Sequence, residues 1–390
     1  MKVNLDLDFK VSHFVGLSGV GGVQRNFSEY MKLEIKDGNH NKHKIYTLGK
    51  VDTHYQLNKK IFNILNLNNL ISLILDIISN TKIVHFYNNL TSFKVAILLF
   101  FLPTNHLIIH ERGSAWNLSS KYAFLLRFIA WKSDLILANS RATKTLLEKK
   151  FGIPKNKIKV IHNGVNTSIK GTKKTFKNEE YFYIGFLGRL DTPKGVHILI
   201  KAMHILKKEN IKLVIAGDGP LMQELLYRSK GLKSVKFIGR IKNLSNFFNS
   251  ISLLVVPSIR EPFGNICIEA GLDRVPILAS CIDGIPEIIQ DNINGALIRP
   301  TQPITDIDAI NSLPKPEYVV DPNTQELINP MQINPEDLAE KILFLSKHSD
   351  KLYEYSEKLY KDVINHFSID DYRKKLNKIY LELISSRKVN

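Results

Sequence analysis

The residues best placed to grip hydroxyl groups are two carboxylates that bracket Glu261-Pro-Phe-Gly-Asn-Ile-Cys-Ile-Glu269. The apolar run Leu253 to Val256 closes at Pro257, a loop follows, and Gly264-Asn265 supplies backbone amides where a helix would open. Such an opening attracts phosphate. Glu269 then lies one turn inside that helix and Glu261 just before it, so both acids can face one pocket. A carboxylate accepts hydrogen bonds from neighbouring sugar hydroxyls, whereas phosphate needs amide and cationic donors. Read from its own letters, the stretch fits half of a sugar-nucleotide site and fits equally a capped surface helix with solvated glutamates.

Further groups of the same chemistry recur along the chain. Gly19-Val-Gly-Gly22 follows the extended run Val11 to Leu17 and precedes Val23, Phe27, Tyr30, Met31 and Ile35 at helical spacing. Strand, glycine turn and helix in that order let a diphosphate approach the backbone, although the spacing is not that of a dinucleotide fingerprint. The strand Tyr183 to Leu187 leads into Gly188-Arg-Leu-Asp-Thr-Pro-Lys-Gly195, where Arg189 and Lys194 can converge on one pyrophosphate as a fork and a point charge. Gly217-Asp-Gly-Pro220 and Phe237-Ile-Gly-Arg240 each end a strand pattern with a turn, at the sheet edge where open α/β folds bind ligands. Plain βα connections with solvated cations would read the same way.

In their order these motifs resemble the retaining glycosyltransferases of the GT-B fold known as glycosyltransferase family 4. Gly21-Gly-Val-Gln-Arg25, Ile158-Lys-Val-Ile-His-Asn-Gly-Val-Asn166, Gly188-Arg189 with Lys194-Gly195, Gly217 to Pro220, Phe237 to Arg240 and the two-glutamate element carry the likeness across nearly the whole chain. The resemblance implies an α/β protein of two Rossmann-like domains whose parallel sheets face each other across a cleft. It implies that Gly21 and Gly22 approach the donor phosphates, and that Arg189 and Lys194 neutralise charge on the leaving diphosphate without a metal or cofactor. It further places Glu269 on the ribose, Glu261 on the transferred sugar, the amides of Phe263, Gly264 and Asn265 on sugar or phosphate, and the base near Gly239 and Arg240. His110, in Ile108-Ile-His-Glu-Arg-Gly-Ser-Ala-Trp116, falls where the family has a histidine beside the donor sugar. His85 is a weaker candidate for the acceptor side, and His162 reads as a turn residue. No residue is implied as a covalent nucleophile. A front-side displacement is implied instead, in which the departing phosphate oxygen helps deprotonate the acceptor.

A chain of 390 residues exceeds what one core serves, and 44% hydrophobic residues supply two. Alternating strand and helix patterns place a first domain at residues 1–166, a polar linker at 167–180, a second domain at 181–366 and a last helix at 367–390. The resemblance implies that the first is the acceptor side, that the second binds the nucleotide sugar and that the last helix returns to the first domain. Residues 301–334 form an insertion whose Pro322-Asn323 suggests a hairpin. An interaction lobe and an inert excursion both fit it. Only Cys267 and Cys281 occur, and the first residues lack the apolar core of a secretory signal, so a cytoplasmic protein is expected.

The formal charge of +17 calls for an anionic partner. No nucleic-acid motif accompanies it. An anionic membrane surface fits better, because Phe93 to Leu102 is intensely apolar yet too short to span, and Leu118 to Lys132 interleaves aromatic and basic residues. Buried core helices would look similar. The expected function is transfer of a sugar from a nucleotide-diphosphate sugar to a hydroxyl of an acceptor glycan, lipid-linked as in lipopolysaccharide, O-antigen or capsule synthesis. A nucleotide-sugar 2-epimerase and a catalytically silent basic scaffold share the same crevice.

Overall fold

A computed structural model describes residues 9–19, 21–55, 57–80, 82–168, 180–304 and 312–387. Contacts divide the chain into two units, Met1–Asn166 with Ser368–Asn390, and Thr167–Phe367. Most of the stretch read above as a linker, 169–179, lies outside the described residues, as do 305–311 of the insertion.

In the first unit the strands are β1 (Lys10–Phe14), β2 (His43–Thr47), β3 (Ile61–Asn63), β4 (Lys82–Tyr87), β5 (Leu107–Glu111), β6 (Leu135–Ala138) and β7 (Ile158–Val160). Among the described residues they make one parallel sheet in the order β3-β2-β1-β4-β5-β6-β7. Strand order across the sheet reverses between β1 and β4, which defines a switch point. The helices are α1 (Gly22–Lys36), α2 (Leu67–Ile78), α3 (Phe93–Phe101), α4 (Ala123–Lys132) and α5 (Arg141–Lys149). Their starts follow from the capping residues: Ser140 Oγ accepts from the Thr143 amide at 2.9 Å, and Ser92 Oγ from that of Val95 at 3.3 Å. The C-terminal helix Ile369–Arg387 belongs to this unit and buries Tyr372, Leu376 and Tyr380 with Phe27, Tyr30 and Met31 of α1. Its entry is fixed where the Ile369 amide donates to the Val165 carbonyl at 2.8 Å.

The second unit holds β8 (Phe182–Leu187), β9 (Ile211–Ala216), β10 (Val235–Gly239), β11 (Leu253–Val256), β12 (Ile277–Ser280) and β13 (Ala296–Ile298). They form a parallel sheet in the order β10-β9-β8-β11-β12-β13, with its switch point between β8 and β11. Central strands are continuous apolar runs because helices cover both faces, and every residue of β11 and of β12 is buried. Edge strand β10 instead alternates half-buried and exposed residues. Helices α6 (Val196–Ile205), α7 (Met222–Arg228), α8 (Leu244–Asn249), α9 (Asn265–Leu272), α10 (Pro335–Ser346) and α11 (Ser349–His366) complete the unit. In the insertion, β14 (Val319–Val320) and β15 (Leu327–Ile328) pair antiparallel around Pro322-Asn323.

Asp76 is the polar anchor of α2 on the first sheet. Its carboxylate accepts from Ser12 Oγ at 2.7 Å, Tyr46 Oη at 2.7 Å and Lys82 Nζ at 2.5 Å. Burial opposes its ionisation, but these donors outweigh burial and hold the carboxyl below its ordinary range. Removing it strands the buried Ser12 hydroxyl and takes one of two partners from Tyr46 Oη and the partner of Lys82, so Asp76→Ala should lower unfolding stability by about 2–4 kcal/mol at pH 7. A depressed folded-state pKa stabilises above the unfolded value, so the gap between wild type and variant in chemical denaturation should narrow as pH falls below about 4.

Candidate active site

In the second unit, four adjacent strands present their carboxyl ends side by side: β10, β9, β8 and β11. The loops that follow carry Gly239 and Arg240, Gly217 to Pro220, Gly188 to Gly195, and Pro257 to Asn265. Arg189 and Lys194 therefore stand on one side of the switch point and Glu261 on the other.

The loops after β8 and β11 are stitched by backbone. The Pro193 carbonyl accepts from the amides of Ile259 at 2.8 Å and Arg260 at 3.2 Å. Gly195, at φ 68°, passes so close to Pro257 that a Cβ there would sit 2.0 Å from its carbonyl oxygen. Only glycine satisfies both the left-handed φ and that approach. The stitch brings Lys194 Nζ to 2.6 Å from Glu261 Oε2. Arg189 is exposed and its guanidinium pairs with buried Asp191.

Gly264, at φ 102°, is the N-cap of α9 and no side chain caps that end. Glu269 lies one turn into α9 and is half-buried. Between the two acids lies Cys267, wholly buried, whose thiol is pushed up by burial and then by the neighbouring charge of Glu261, with Lys194 and Glu269 also felt there. The charges of Lys194, Glu261 and Glu269 are thus all felt at one buried sulfur. The Phe263 side chain is core, packed against Phe367, so only its backbone is available to a ligand. Asn265 is half-buried. Gly239 accepts from the Gly217 amide at 2.8 Å, and exposed Arg240 approaches Asp218 at 3.3 Å.

In the first unit Gly21 caps α1 in an extended conformation and Gly22 opens the helix, after the carboxyl end of β1. His110 is fully buried near the end of β5, stacked on His85 with centroids 5.4 Å apart. Among the described residues neither of its ring nitrogens has a hydrogen-bond partner. Burial, reinforced by the Arg112 charge, holds it well below the usual histidine range, so the ring is neutral. His85 is likewise core, bonded through Nδ1 to Tyr380 Oη at 2.6 Å. Glu111 shapes the loop that follows by accepting from Gly113 N, Ser114 Oγ and Ala115 N at 2.7–3.0 Å. Arg112 is buried against Asn163 Oδ1 at 2.6 Å.

The family model of the glycosyl transferases group 1 matches residues 169–315, and that of glycosyltransferase family 4 matches residues 44–169. The chain belongs to this glycosyltransferase family. An uncharacterized glycosyltransferase of Methanocaldococcus jannaschii is 30% identical over 209 residues, 49% of this chain and 54% of its own. A diNAcBac-PP-undecaprenol-linked α-1,4-N-acetyl-D-galactosaminyltransferase of Campylobacter jejuni is 38% identical over 118 residues, 29% of this chain and 33% of its own. Against the first of these relatives the chain spans only about half the relative's length, 54%. Among solved structures, HepE of Anabaena with UDP and glucose aligns with a TM-score of 0.71 at 18% identity, covering 95% of this chain and 99% of that one. The lipopolysaccharide outer core galactosyltransferase WaaB, in its apo form, aligns with a TM-score of 0.65 at 17% identity, covering 97% and 100%. With two Rossmann-like parallel sheets, the chain has the GT-B fold.

One residue of the chain escaped the motif reading. Asp283, buried and at φ 48°, accepts from the Glu261 amide on Oδ2 at 2.9 Å and from the Val320 amide on Oδ1 at 2.7 Å. Its own amide donates to the Val320 carbonyl at 3.1 Å. A non-glycine residue keeps such a φ only when its surroundings over-determine it, and here both carboxylate oxygens hold buried amides. The insertion hairpin is thereby tied to the loop that carries Glu261. Its signal in the sequence, an aspartate before Gly284, is indistinguishable from an ordinary turn.

Burial pushes the Asp283 carboxyl up to about 8, against the pull of the two amides and of Arg260. A raised folded-state value stabilises fully below the unfolded pKa and loses that contribution as pH rises toward the folded one. Asp283→Asn turns one acceptor into a donor facing an amide. It should cost about 1–3 kcal/mol, raise the KM for the donor more than it lowers kcat, and abolish the fall in wild-type stability between pH 4 and about 8 seen by thermal melting. An unchanged pH profile would remove Asp283 from this role.

Proposed function

We propose that the protein transfers a sugar, with retention at the anomeric carbon and without a metal or other cofactor, from a nucleotide-diphosphate sugar to a hydroxyl of a lipid-linked acceptor glycan. The observation that carries this is the pairing of Lys194 with Glu261 across the switch point, with Glu269 one turn into the helix that follows and exposed Arg189 on the same loop as Lys194. Two cations on one loop suit a diphosphate, and two acids on the other suit hydroxyls.

In this reading Glu269 holds the ribose and Glu261 the transferred sugar, while the backbone of Gly239 and Arg240 flanks the base. The amides of Phe263, Gly264 and Asn265, at the positive end of α9, meet sugar or phosphate. Lys194 exchanges its pairing with Glu261 for the diphosphate, and Arg189 turns from Asp191 toward the same oxygens. Charge that develops as the glycosidic bond breaks is met by donors already in place, which is where electrostatic catalysis gains most. The departing phosphate oxygen takes the acceptor's proton on the face it leaves, so the new bond forms on that face. In the first unit, the backbone at Gly21 and Gly22, past the carboxyl end of β1, suits an approaching phosphate.

Relatives support the substrate class. HepE binds UDP and glucose, and the Campylobacter enzyme builds on an undecaprenol-linked acceptor. A capsular polysaccharide biosynthesis glycosyltransferase of Staphylococcus aureus is also similar, at 27% identity over 182 residues. A lipid-linked acceptor places the reaction at the cytoplasmic face of a membrane. No helix among the described residues is long and apolar enough to cross one.

Lys194→Ala should lower kcat for donor-dependent transfer about 10²- to 10³-fold, and Glu269→Ala should raise the donor KM, both with unchanged circular dichroism. Release of nucleotide diphosphate that depends on acceptor distinguishes transfer from epimerisation or mere binding. A near-normal kcat in Lys194→Ala, or an unchanged donor KM in Glu269→Ala, contradicts the assignment.

A further inference from the structure

Helices α3 and α4 pack against each other and present an apolar outer face. On α3, Val95, Ala96 and Leu99 point inward at helical spacing, and Phe93, Ile97, Phe100 and Phe101 occupy the opposite stripe. A helix on a globular surface normally carries polar residues there. On α4 the inward residues are Leu126, Ile129 and Ala130, and the outward ones include Phe124 and Trp131. Phe101, Phe124 and Trp131 are 76%, 80% and 71% exposed. The rings run continuously across both helices, with Phe100 to Phe128 and Phe128 to Trp131 each at 6.1 Å between centroids.

Charge around this face has one sign. Lys94, Lys121, Arg127 and Lys132 lie among the aromatic residues. From Phe93 to Lys132 the only acidic residue is Glu111, and it is buried. Lys121 lies over the Tyr122 ring at 5.3 Å and Lys132 near that of Trp131 at 5.6 Å. Lys132 also ties the helices together by donating to the Leu102 carbonyl at 2.7 Å.

We infer that the α3–α4 face docks on an anionic lipid bilayer, its Phe and Trp side chains entering the headgroup boundary while the four cations meet lipid phosphates. Exposed aromatic residues rimmed by Lys and Arg are the composition such an interface selects. A second copy of the chain is a poorer occupant, because two faces of the same positive sign would meet. The inference goes beyond the catalytic reading and does not depend on it. It would bring the acceptor's lipid anchor and the first unit to the same surface.

Flotation of the full chain with phosphatidylglycerol-containing vesicles, and with phosphatidylcholine alone, tests it in the absence of donor and acceptor. Wild type should float with the anionic vesicles only and be released by high salt. Trp131 emission should shift to the blue, over the constant signal of buried Trp116. Phe100→Ser with Phe101→Ser, and separately Lys121→Glu with Arg127→Glu, should each weaken partition at least about tenfold. Thermal-shift response to nucleotide sugar should stay at the wild-type value in both variants, which confirms their folding and keeps failure of docking separate from failure of the active site. The proposal is overturned if wild type does not float, if neither pair of substitutions changes flotation, or if sedimentation equilibrium shows a wild-type dimer that the phenylalanine substitutions dissociate.

Discussion

The second unit's chemistry depends on a backbone contact. The Pro193 carbonyl holds two amides of the loop after β11, and Gly195 lets the chain pass against Pro257. A parallel sheet brings β8 and β11 within hydrogen-bonding distance, but it leaves the loops beyond them free to diverge. The stitch removes that freedom. Without it Lys194 and Glu261 would sit on independent loops, and the entropy of bringing a cation, two acids and a substrate together would fall on the binding step. With it, much of that ordering is complete before a ligand arrives.

Asp283 extends the same constraint to the insertion. Its two carboxylate oxygens fasten the Glu261 loop to the hairpin of β14 and β15, and the Ser312 hydroxyl reaches Thr192 Oγ1 at 3.1 Å in the loop after β8. Ser312 and Val320 thus anchor the described part of the segment to both loops. The strain stored at a positive φ in Asp283 persists because releasing it would strand buried amides.

The first unit spends polar groups differently. His13, His85 and His110 lie on β1, β4 and β5, and His13 and His85 are register partners across the sheet. Tyr87, one pleat along β4 from His85, is opposite His110. Burial keeps the three rings neutral, so this is a layer of stacked, uncharged aromatic surfaces, with His13 bonded to His43 at 2.9 Å. A neutral, fully enclosed imidazole is a poor proton donor, and among the described residues neither ring nitrogen of His110 has a hydrogen-bond partner. Its enclosure is something position at a strand end did not foretell, since a strand's last residues are exposed or covered according to what packs over them.

Alternation of strand and helix patterns determined the two parallel sheets, because continuous apolar runs such as Leu253 to Val256 have no other way to bury both faces. Helix starts were also written locally: Ser140 caps α5, and Gly264 opens the helix carrying Glu269. The pairing of Arg189 and Lys194 on one loop, and of Glu261 and Glu269 around one helix end, followed from spacing alone. Tertiary structure decided what spacing cannot reach. Lys194 meets Glu261 across 67 residues, and Asp283 meets Val320 across 37, through contacts whose partners leave no periodic trace in the letters. The apolar stretches Phe93 to Leu102 and Leu118 to Lys132 show the division most plainly. Their composition was open between core and surface, and only the packing of Val95, Leu99, Leu126 and Ile129 inward turned Phe101, Phe124 and Trp131 outward, because a helix against a sheet can bury one side and must leave the other to its surroundings.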